Sequence, residues 1–88
     1  MTQKDQFINL KVVTTGQDLE ERYNVQEPLQ VVFNRSLQAV GGGANRDQFT
    51  LEYQDQPLDL SKRISDYVQQ FGWKDGTVLE LVPRPEVI

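Results

Sequence analysis

Carboxylates are the main side chains in this sequence that could do acid–base chemistry, because the 88 residues include no histidine and no cysteine. That absence excludes imidazole proton transfer, thiolate catalysis, disulfides and nearly every transition-metal site. Glu20 and Glu21 are predicted to lie on opposite faces of a strand, and Asp55 and Asp59 flank a turn. Carboxylate pairs outside a cleft are usually solvated surface groups. We therefore expect no catalytic site, no metal and no cofactor.

A run of three glycines, Gly41 to Gly43, is the second feature with possible chemistry. A phosphate-binding loop precedes a helix and usually brings a lysine, whereas this run follows a predicted helix. The run therefore predicts a helix cap at Gly41 and a flexible connector over residues 41–47.

The last eight residues, "LVPRPEVI", begin as a strand and continue as a segment unsuited to a sheet. One interpretation is that the prolines simply stop the last strand and prevent edge pairing. Another is that they hold the segment in an extended polyproline-like form of about 3.1 Å per residue. The segment after Val82 would then reach on the order of 20 Å, enough to enter an enzyme groove. A trimmed or unused end is the third interpretation.

The composition is that of one small acidic domain, with 38% hydrophobic residues and a net charge of -4. A chain of this size has room for one core and little room for a deep cleft. The negative charge argues against nucleic-acid and anionic-membrane partners. The N-terminal "MTQKDQ" is not a signal peptide and no apolar run is long enough to span a membrane, so a cytoplasmic location is expected.

Two alternating runs near the start predict a β-hairpin. In "FINLKVV", residues 7–13, every second residue is apolar, and the same holds in part for "DLEERYNV", residues 18–25. Gly16 supplies the turn between them. The inward positions are Ile8, Leu10, Val12, Leu19, Tyr23 and Val25.

The hydrophobic period then changes from 2 to 3.6, which predicts a helix of about three turns. Pro28 suits the first helical position. The apolar stripe consists of Leu29, Val32, Phe33, Leu37 and Val40.

The second half predicts strand, turn, short helix and final strand. "QFTLEY" alternates, and after a polar turn Leu58 and Leu60 return to the core. "SKRISDYVQQFG" predicts a helix that ends at Gly72, and "TVLELV" predicts a strand that ends at Val82. The apolar face of the short helix is expected to carry Ile64, Tyr67, Val68 and Phe71.

The element order β-β-α-β-β-α-β predicts an α+β domain in which a mixed sheet packs on one main helix, with a right-handed crossover. This is the β-grasp arrangement. The predicted organisation is a flexible leader over residues 1–6, the domain over residues 7–82 and an extended tail over residues 83–88. Trp73 is expected to pack over the edge of the core, with an exposed binding anchor as the alternative.

The second half of the sequence resembles ubiquitin. The segment "LEYQDQPLDLSKRISDYVQQ" has the ubiquitin layout, in which Ser65-Asp66-Tyr67 is the most specific match. The resemblance extends from about Ile8 to Val82 and implies that the Tyr67 hydroxyl braces a loop by a hydrogen bond to the backbone. "PLQVVFNRSLQAVG", "PLDLSKRISDY" and "DGTVLELV" are similar to short bacterial ubiquitin-like proteins encoded beside activating, conjugating and JAB-type peptidase enzymes.

The resemblance implies a protein modifier whose C-terminal carboxylate is activated and joined to target proteins. Its partners would be the activating enzyme, the conjugating enzyme, a JAB-type or other peptidase and the targets, and the unconjugated protein would be a monomer. The conjugation tail would be Pro83, Arg84, Pro85, Glu86, Val87 and Ile88.

This sequence departs from ubiquitin in two respects. It has no glycine after Gly76, and Ile88 is β-branched where a Gly-Gly end fits a narrow channel. The strand positions of ubiquitin's apolar partner patch carry Glu52 and Glu80, and only Val82 keeps its apolar character. The partner-binding face formed by these three residues should therefore select specialised partners.

The missing glycine end leaves a second function open. The protein would then be a β-grasp module that binds partners without covalent attachment, like the ubiquitin-like component associated with type VII secretion. The tail distinguishes the two hypotheses, because only conjugation requires it.

Overall fold

The computed structural model describes residues 6–14, 16–40 and 48–83. Predictions for the leader, for the connector at residues 41–47 and for Arg84 to Ile88 concern residues outside this part. The described elements are β1 (Phe7–Thr14), β2 (Gln17–Asn24), α1 (Leu29–Val40), β3 (Phe49–Tyr53), β4 (Gln56–Pro57), α2 (Ile64–Phe71) and β5 (Thr77–Pro83).

The strands form one mixed sheet in the order β2-β1-β5-β3-β4. The central pair, β1 and β5, is parallel, and the other pairs are antiparallel. Leu10 lies opposite Thr77 in the parallel pair, and Leu51 lies opposite Leu81 in the β3·β5 pair. The predicted α+β fold, a mixed sheet in the order β-β-α-β-β-α-β, is confirmed.

The core lies between the sheet and the helices. Alternation on β1 buries Ile8, Leu10 and Val12, as the sequence predicts. The helical stripe of α1 covers this surface and contributes Leu29, Val32, Phe33 and Leu37. The remaining core residues are Tyr23, Val25, Leu51, Leu58, Ile64, Tyr67, Trp73, Leu79 and Leu81.

The structure corrects three details of the predicted elements. β5 runs one residue past Val82, because Pro83 pairs with Phe49 at the end of the strand, where a proline is tolerated. α1 begins one residue after Pro28, which instead forms a β-bridge with Arg63. Phe71 is 38% exposed because it ends α2 at the rim of the core. Leu60 is half-buried and packs against the core, as predicted.

Ser36 is buried on the apolar face of α1, which the hydrophobic pattern did not predict. Its hydroxyl donates a hydrogen bond to the Val32 carbonyl at 2.8 Å. The bond satisfies the hydroxyl within the helix, so a polar residue is tolerated at a core position.

The N-termini of the two helices are held by loop carbonyls from opposite halves of the chain. The Leu29 N–H donates to the Lys62 carbonyl, and the Ile64 N–H donates to the Glu27 carbonyl, each at 2.9 Å. Ser65 N–H likewise donates to the Val25 carbonyl at 2.8 Å. These bonds satisfy amides that have no partner inside a helix, so the two helix starts stabilise one another.

Candidate functional site

The three residues of the predicted partner-binding face lie together on one surface of the sheet. Leu51, Leu79 and Leu81 point into the core, so alternation places the neighbouring side chains on the opposite surface. Glu52 lies directly opposite Glu80 across β3 and β5, and Val82 lies opposite Thr50. We call this surface, formed by Thr50, Glu52, Val78, Glu80 and Val82, the outer face.

A third carboxylate joins Glu52 and Glu80. The turn between β3 and β4 carries Asp55, and one oxygen from each of the three carboxylates lies within 4.8 Å of the other two. Gln54 and Asp55 both have positive φ, 51° and 68°, which is the conformation of a tight hairpin turn. The turn brings Asp55 beside the start of β5.

No salt bridge to these three carboxylates forms within the described part of the chain, where the ion pairs are Lys11–Asp18 and Arg35–Glu21. Like charges placed directly opposite on neighbouring strands destabilise a sheet. Calcium requires roughly six to eight oxygen ligands, and exposed acidic groups are common without a metal. The cluster is therefore a local concentration of negative charge, and we assign no metal to it.

A shallow groove of about 430 Å³ adjoins the acidic cluster. Its walls include Tyr53, Asp55, Val78 and Glu80. Val78 is 45% exposed, so the outer face presents aliphatic surface between acidic groups. Such a surface suits contact with a chain that carries both apolar and basic side chains.

The tail starts where β5 ends. Val82 is half-buried and Pro83 is exposed, and Pro83 is the last described residue of the predicted conjugation tail. Arg84, Pro85, Glu86, Val87 and Ile88 lie outside the described residues. A groove of about 220 Å³ beside Val82 and Pro83 is also lined by Val13 and Thr14 of β1.

Tyr67 has the bracing role that the sequence suggested. Its ring is buried, and its hydroxyl oxygen accepts the backbone N–H of Asp59 at 2.9 Å. Asp59 is itself tied to Ser61, whose hydroxyl and N–H donate to its carboxylate and lower the pKa of that carboxyl. These hydrogen bonds fix the loop before α2, so the role of Asp59 is structural.

Trp73 packs over the core, as expected, and is only 4% exposed. Its ring centroid lies 5.3 Å from that of Tyr67 and 5.2 Å from that of Tyr53. Phe71 completes this aromatic cluster against Tyr67 at 5.6 Å. Trp73 is therefore not an exposed anchor.

The other carboxylates that could act in acid–base chemistry do not converge on one site. Glu20 is exposed on β2, and Glu21 forms an ion pair with Arg35 of α1 at 2.6 Å. Asp59 is held by Ser61, and only Asp55 approaches other acids. The sequence did not indicate the cluster of Asp55 with Glu52 and Glu80, because that cluster depends on strand register and turn type.

Comparison with known proteins identifies the fold class. The structure of ubiquitin from Caldiarchaeum subterraneum superposes with a TM-score of 0.75 at 18% identity, over 92% of this chain and 98% of that chain. A protein designed on the basis of ubiquitin superposes with a TM-score of 0.72 at 18% identity, over 92% of this chain and 93% of the designed chain. No protein-family model and no curated protein matches the sequence.

The fold is therefore a ubiquitin-like β-grasp. Among the described helices, neither α1 nor α2 has the length and apolar character that a membrane crossing requires. At this level of identity the likeness concerns architecture, and it leaves function to be argued from the chain's own residues.

Proposed function

We propose that this protein is a ubiquitin-like modifier of a bacterial conjugation system, attached to target proteins through the tail Pro83–Ile88. Its partners are then an activating enzyme, a conjugating enzyme and a JAB-type or other peptidase. It acts in the cytoplasm as a monomer until it is conjugated. The domain performs no catalysis itself and carries no cofactor, since the enzymes supply the chemistry.

The observation that supports this proposal best is the position of β5. This strand lies in the middle of the sheet: residues 77–80 pair with β1 and residues 80–83 pair with β3, so Pro83 is held on one side, by Phe49. A tail that leaves such a strand has a rigid base, and its prolines favour an extended chain. Both properties suit a segment that must enter an enzyme channel.

The first chemical step follows from the tail's terminal carboxylate. In the activating enzyme, one oxygen of this carboxylate attacks the α-phosphorus of ATP, and pyrophosphate leaves. The product is an acyl adenylate, which a thiol or amine can then attack with release of AMP. Ile88 is bulkier than glycine, so either the channel is wide or a peptidase first removes residues from the end.

Reconstitution with ATP and the activating enzyme encoded beside the gene tests this proposal. We expect ATP–pyrophosphate exchange that depends on this protein, and an enzyme-linked adduct in the intact mass. A protein truncated after Pro83 keeps β5 complete and should show neither signal. Gln38→Ala changes an exposed position on α1 and serves as the matched control that should behave as wild type.

Absence of exchange and adduct from full-length protein, both untreated and after treatment with the neighbouring peptidase, would exclude conjugation. The truncated protein must be folded for the comparison to count, and circular dichroism checks this.

A non-covalent interaction module is the second candidate, and the outer face favours it. Glu52 and Glu80 face each other without a cation among the described residues, beside exposed Val78. A basic partner would relieve this repulsion. In that case the protein truncated after Pro83 still binds its partner, whereas Glu80→Lys weakens binding by about tenfold or more.

A further inference from the structure

The strand β2 forms one edge of the described sheet, because the strand order begins with β2 and then β1. It is eight residues long, whereas β4 at the other edge has two residues. An edge strand presents main-chain N–H and C=O groups that can pair with a further strand. The edge at β2 is therefore the longer of the two positions at which this sheet can be extended.

The residues of β2 that face the open edge follow from the bonds at its end. The Val25 N–H donates to the main-chain carbonyl of the residue before β1, at 2.9 Å. Hydrogen-bonded positions alternate along an antiparallel strand, so Asn24, Arg22 and Glu20 direct their main-chain groups away from β1. The Asn24 N–H accordingly donates to the side chain of Glu27, at 3.2 Å. Arg22 and Glu20 are thus the open positions in the middle of the edge.

The side chains at these two open positions carry opposite charges. Glu20 and Arg22 are both exposed, and neither forms a salt bridge with another described residue. The Arg22 guanidinium lies over the ring of Phe7, 4.6 Å from its centroid, and this contact leaves N–H groups in the guanidinium plane able to donate. The two residues lie on the same surface of the sheet, since they are two positions apart on a strand. The edge therefore presents an acid and a base side by side.

A second copy of β2 matches this charge pattern in one antiparallel register. When Glu21 lies on the twofold axis, Glu20 of each copy lies opposite Arg22 of the other, and each such pair can exchange both main-chain hydrogen bonds. The neighbouring registers that retain these bonds place Glu20 opposite Glu20, or Arg22 opposite Arg22. Like charges directly opposite destabilise a sheet. The order of charges on β2 therefore selects a single self-complementary register.

The other surface of β2 is compatible with the same register. Leu19 of each copy lies opposite Tyr23 of the other, an aliphatic–aromatic pair of the kind that stabilises neighbouring strands. Leu19 is half-buried, so part of its apolar surface is available to a second copy. Glu21 faces its own counterpart, but Arg35 of the same chain binds each Glu21 at 2.6 Å and offsets its charge.

We propose that β2 pairs antiparallel with β2 of a second copy of this chain, with Glu20 opposite Arg22 on both sides of the twofold axis. The pairing joins the sheets of the two copies into one. Exposed ion pairs and a few main-chain hydrogen bonds exceed the entropy cost of association only slightly, so the dissociation constant is on the order of 1 mM. The free protein is consequently a monomer at micromolar concentrations.

Copies that are held close together pair more readily than free copies. Short flexible linkers give effective concentrations in the millimolar range, which match the expected dissociation constant. Copies attached to neighbouring sites on one target would therefore pair, and this consequence rests on the proposed conjugation. The pairing of the purified protein does not depend on conjugation, so the two proposals can fail separately.

A dilution series of the isotope-labelled full chain, followed by nuclear magnetic resonance, tests the pairing. The series runs from about 2 mM to about 20 μM at low salt, which spans the expected dissociation constant. We expect the backbone amide resonances of Glu20 and Arg22 to move with concentration, and the average mass in sedimentation equilibrium to rise above that of one chain. A chain that stays monomeric at the highest concentration would overturn the proposal, and would leave the edge to an extended segment of a different protein. Shifts confined to other surfaces would overturn it as well.

Charge reversal tests the register. Glu20→Arg places arginines opposite one another and Arg22→Glu places glutamates opposite one another, so each variant should self-associate at least about tenfold more weakly than wild type. An equal mixture of the two variants restores opposite charges at both pairs. One variant, isotope-labelled and titrated with the other, should therefore show saturable shifts at about the wild-type affinity. Both variants keep a net negative charge, so general attraction between them does not account for recovery.

Two further variants serve as controls. Lys74→Glu makes the same change of charge as Arg22→Glu at an exposed position outside β2, and should self-associate as wild type does. The double variant Glu20→Arg/Arg22→Glu exchanges the two charges and should recover wild-type association. It keeps the test decisive if one of the single variants does not fold. Association that persists in both single variants, or a mixture and a double variant that fail to recover it, would overturn the proposed register.

Discussion

The hydroxyl oxygen of Tyr67 accepts the backbone N–H of Asp59 at 2.9 Å, which joins α2 to the loop that precedes it. Tyr67→Phe removes the acceptor and leaves the N–H unpaired in a partly buried place. We expect the free energy of unfolding to fall by about 1–2 kcal/mol, measured by urea denaturation.

Tyr53→Phe is the matched control for Tyr67→Phe. Tyr53 belongs to the same aromatic cluster, and its hydroxyl makes no hydrogen bond to another described residue. Its removal should change stability by less than about 0.5 kcal/mol. Equal losses in the two variants would show that ring packing alone determines the effect.

Gly72 ends α2 in the left-handed conformation, with φ of 74°, and its N–H donates to the Val68 carbonyl at 2.8 Å. An added Cβ would meet no atom within 4 Å, so only backbone strain opposes substitution. Gly72→Ala should therefore cost about 1 kcal/mol of stability. Gly72→Asn should cost less, because asparagine tolerates this conformation. A larger loss for asparagine than for alanine would indicate a different cause.

The opposed carboxylates Glu52 and Glu80 predict that neutralising one of them stabilises the isolated domain. Glu52→Gln or Glu80→Gln should raise the free energy of unfolding by about 0.5 kcal/mol at low salt, and less at 1 M salt, because salt screens the repulsion. The double substitution should gain less than the sum of the two single gains, since each single substitution already removes the repulsion between Glu52 and Glu80 and the second removes only the remaining repulsion with Asp55. Additive gains that persist at high salt would contradict this interpretation.

The buried Tyr23 predicts a loss of stability in alkali. Burial, with a smaller contribution from nearby Glu21, raises the pKa of Tyr23 to about 12. The unfolded chain has a tyrosine pKa of about 10 and loses its proton first, so stability falls as pH rises from about 10 through 12. The full shift corresponds to about 3 kcal/mol.

Urea denaturation at intervals between pH 9 and pH 12 measures this effect. Tyr23→Phe cannot ionise, so its stability should decline less steeply over that range than that of the wild type. Tyr53→Phe should retain the wild-type slope. Parallel curves for Tyr23→Phe and wild type would assign the alkaline loss to other groups.

The elements of the fold could be predicted from local patterns, because those patterns reflect burial on one side. Alternation at Ile8, Leu10 and Val12 indicated β1, and helical spacing from Leu29 to Leu37 indicated α1. Gly72 was expected at the end of α2 and lies there in the left-handed conformation that favours glycine.

The features that could not be predicted depend on how distant segments pair. The outer-face positions of Glu52 and Glu80 were expected from the ubiquitin resemblance, but their direct opposition is set by the β3·β5 register. The approach of Asp55 requires the tight turn as well. The burial of the Trp73 indole N–H without an acceptor among the described residues follows from side-chain packing that no short pattern encodes.

The central strand β5 comes last in the chain among the described strands, and this order has a consequence for biosynthesis. Without β5, the pair β2·β1 and the pair β3·β4 have no link within the sheet. During translation the two pairs can join into one sheet only after Thr77–Pro83 has left the ribosome. Chains that have not yet released β5 therefore lack the outer face, because β3 and β5 form it together.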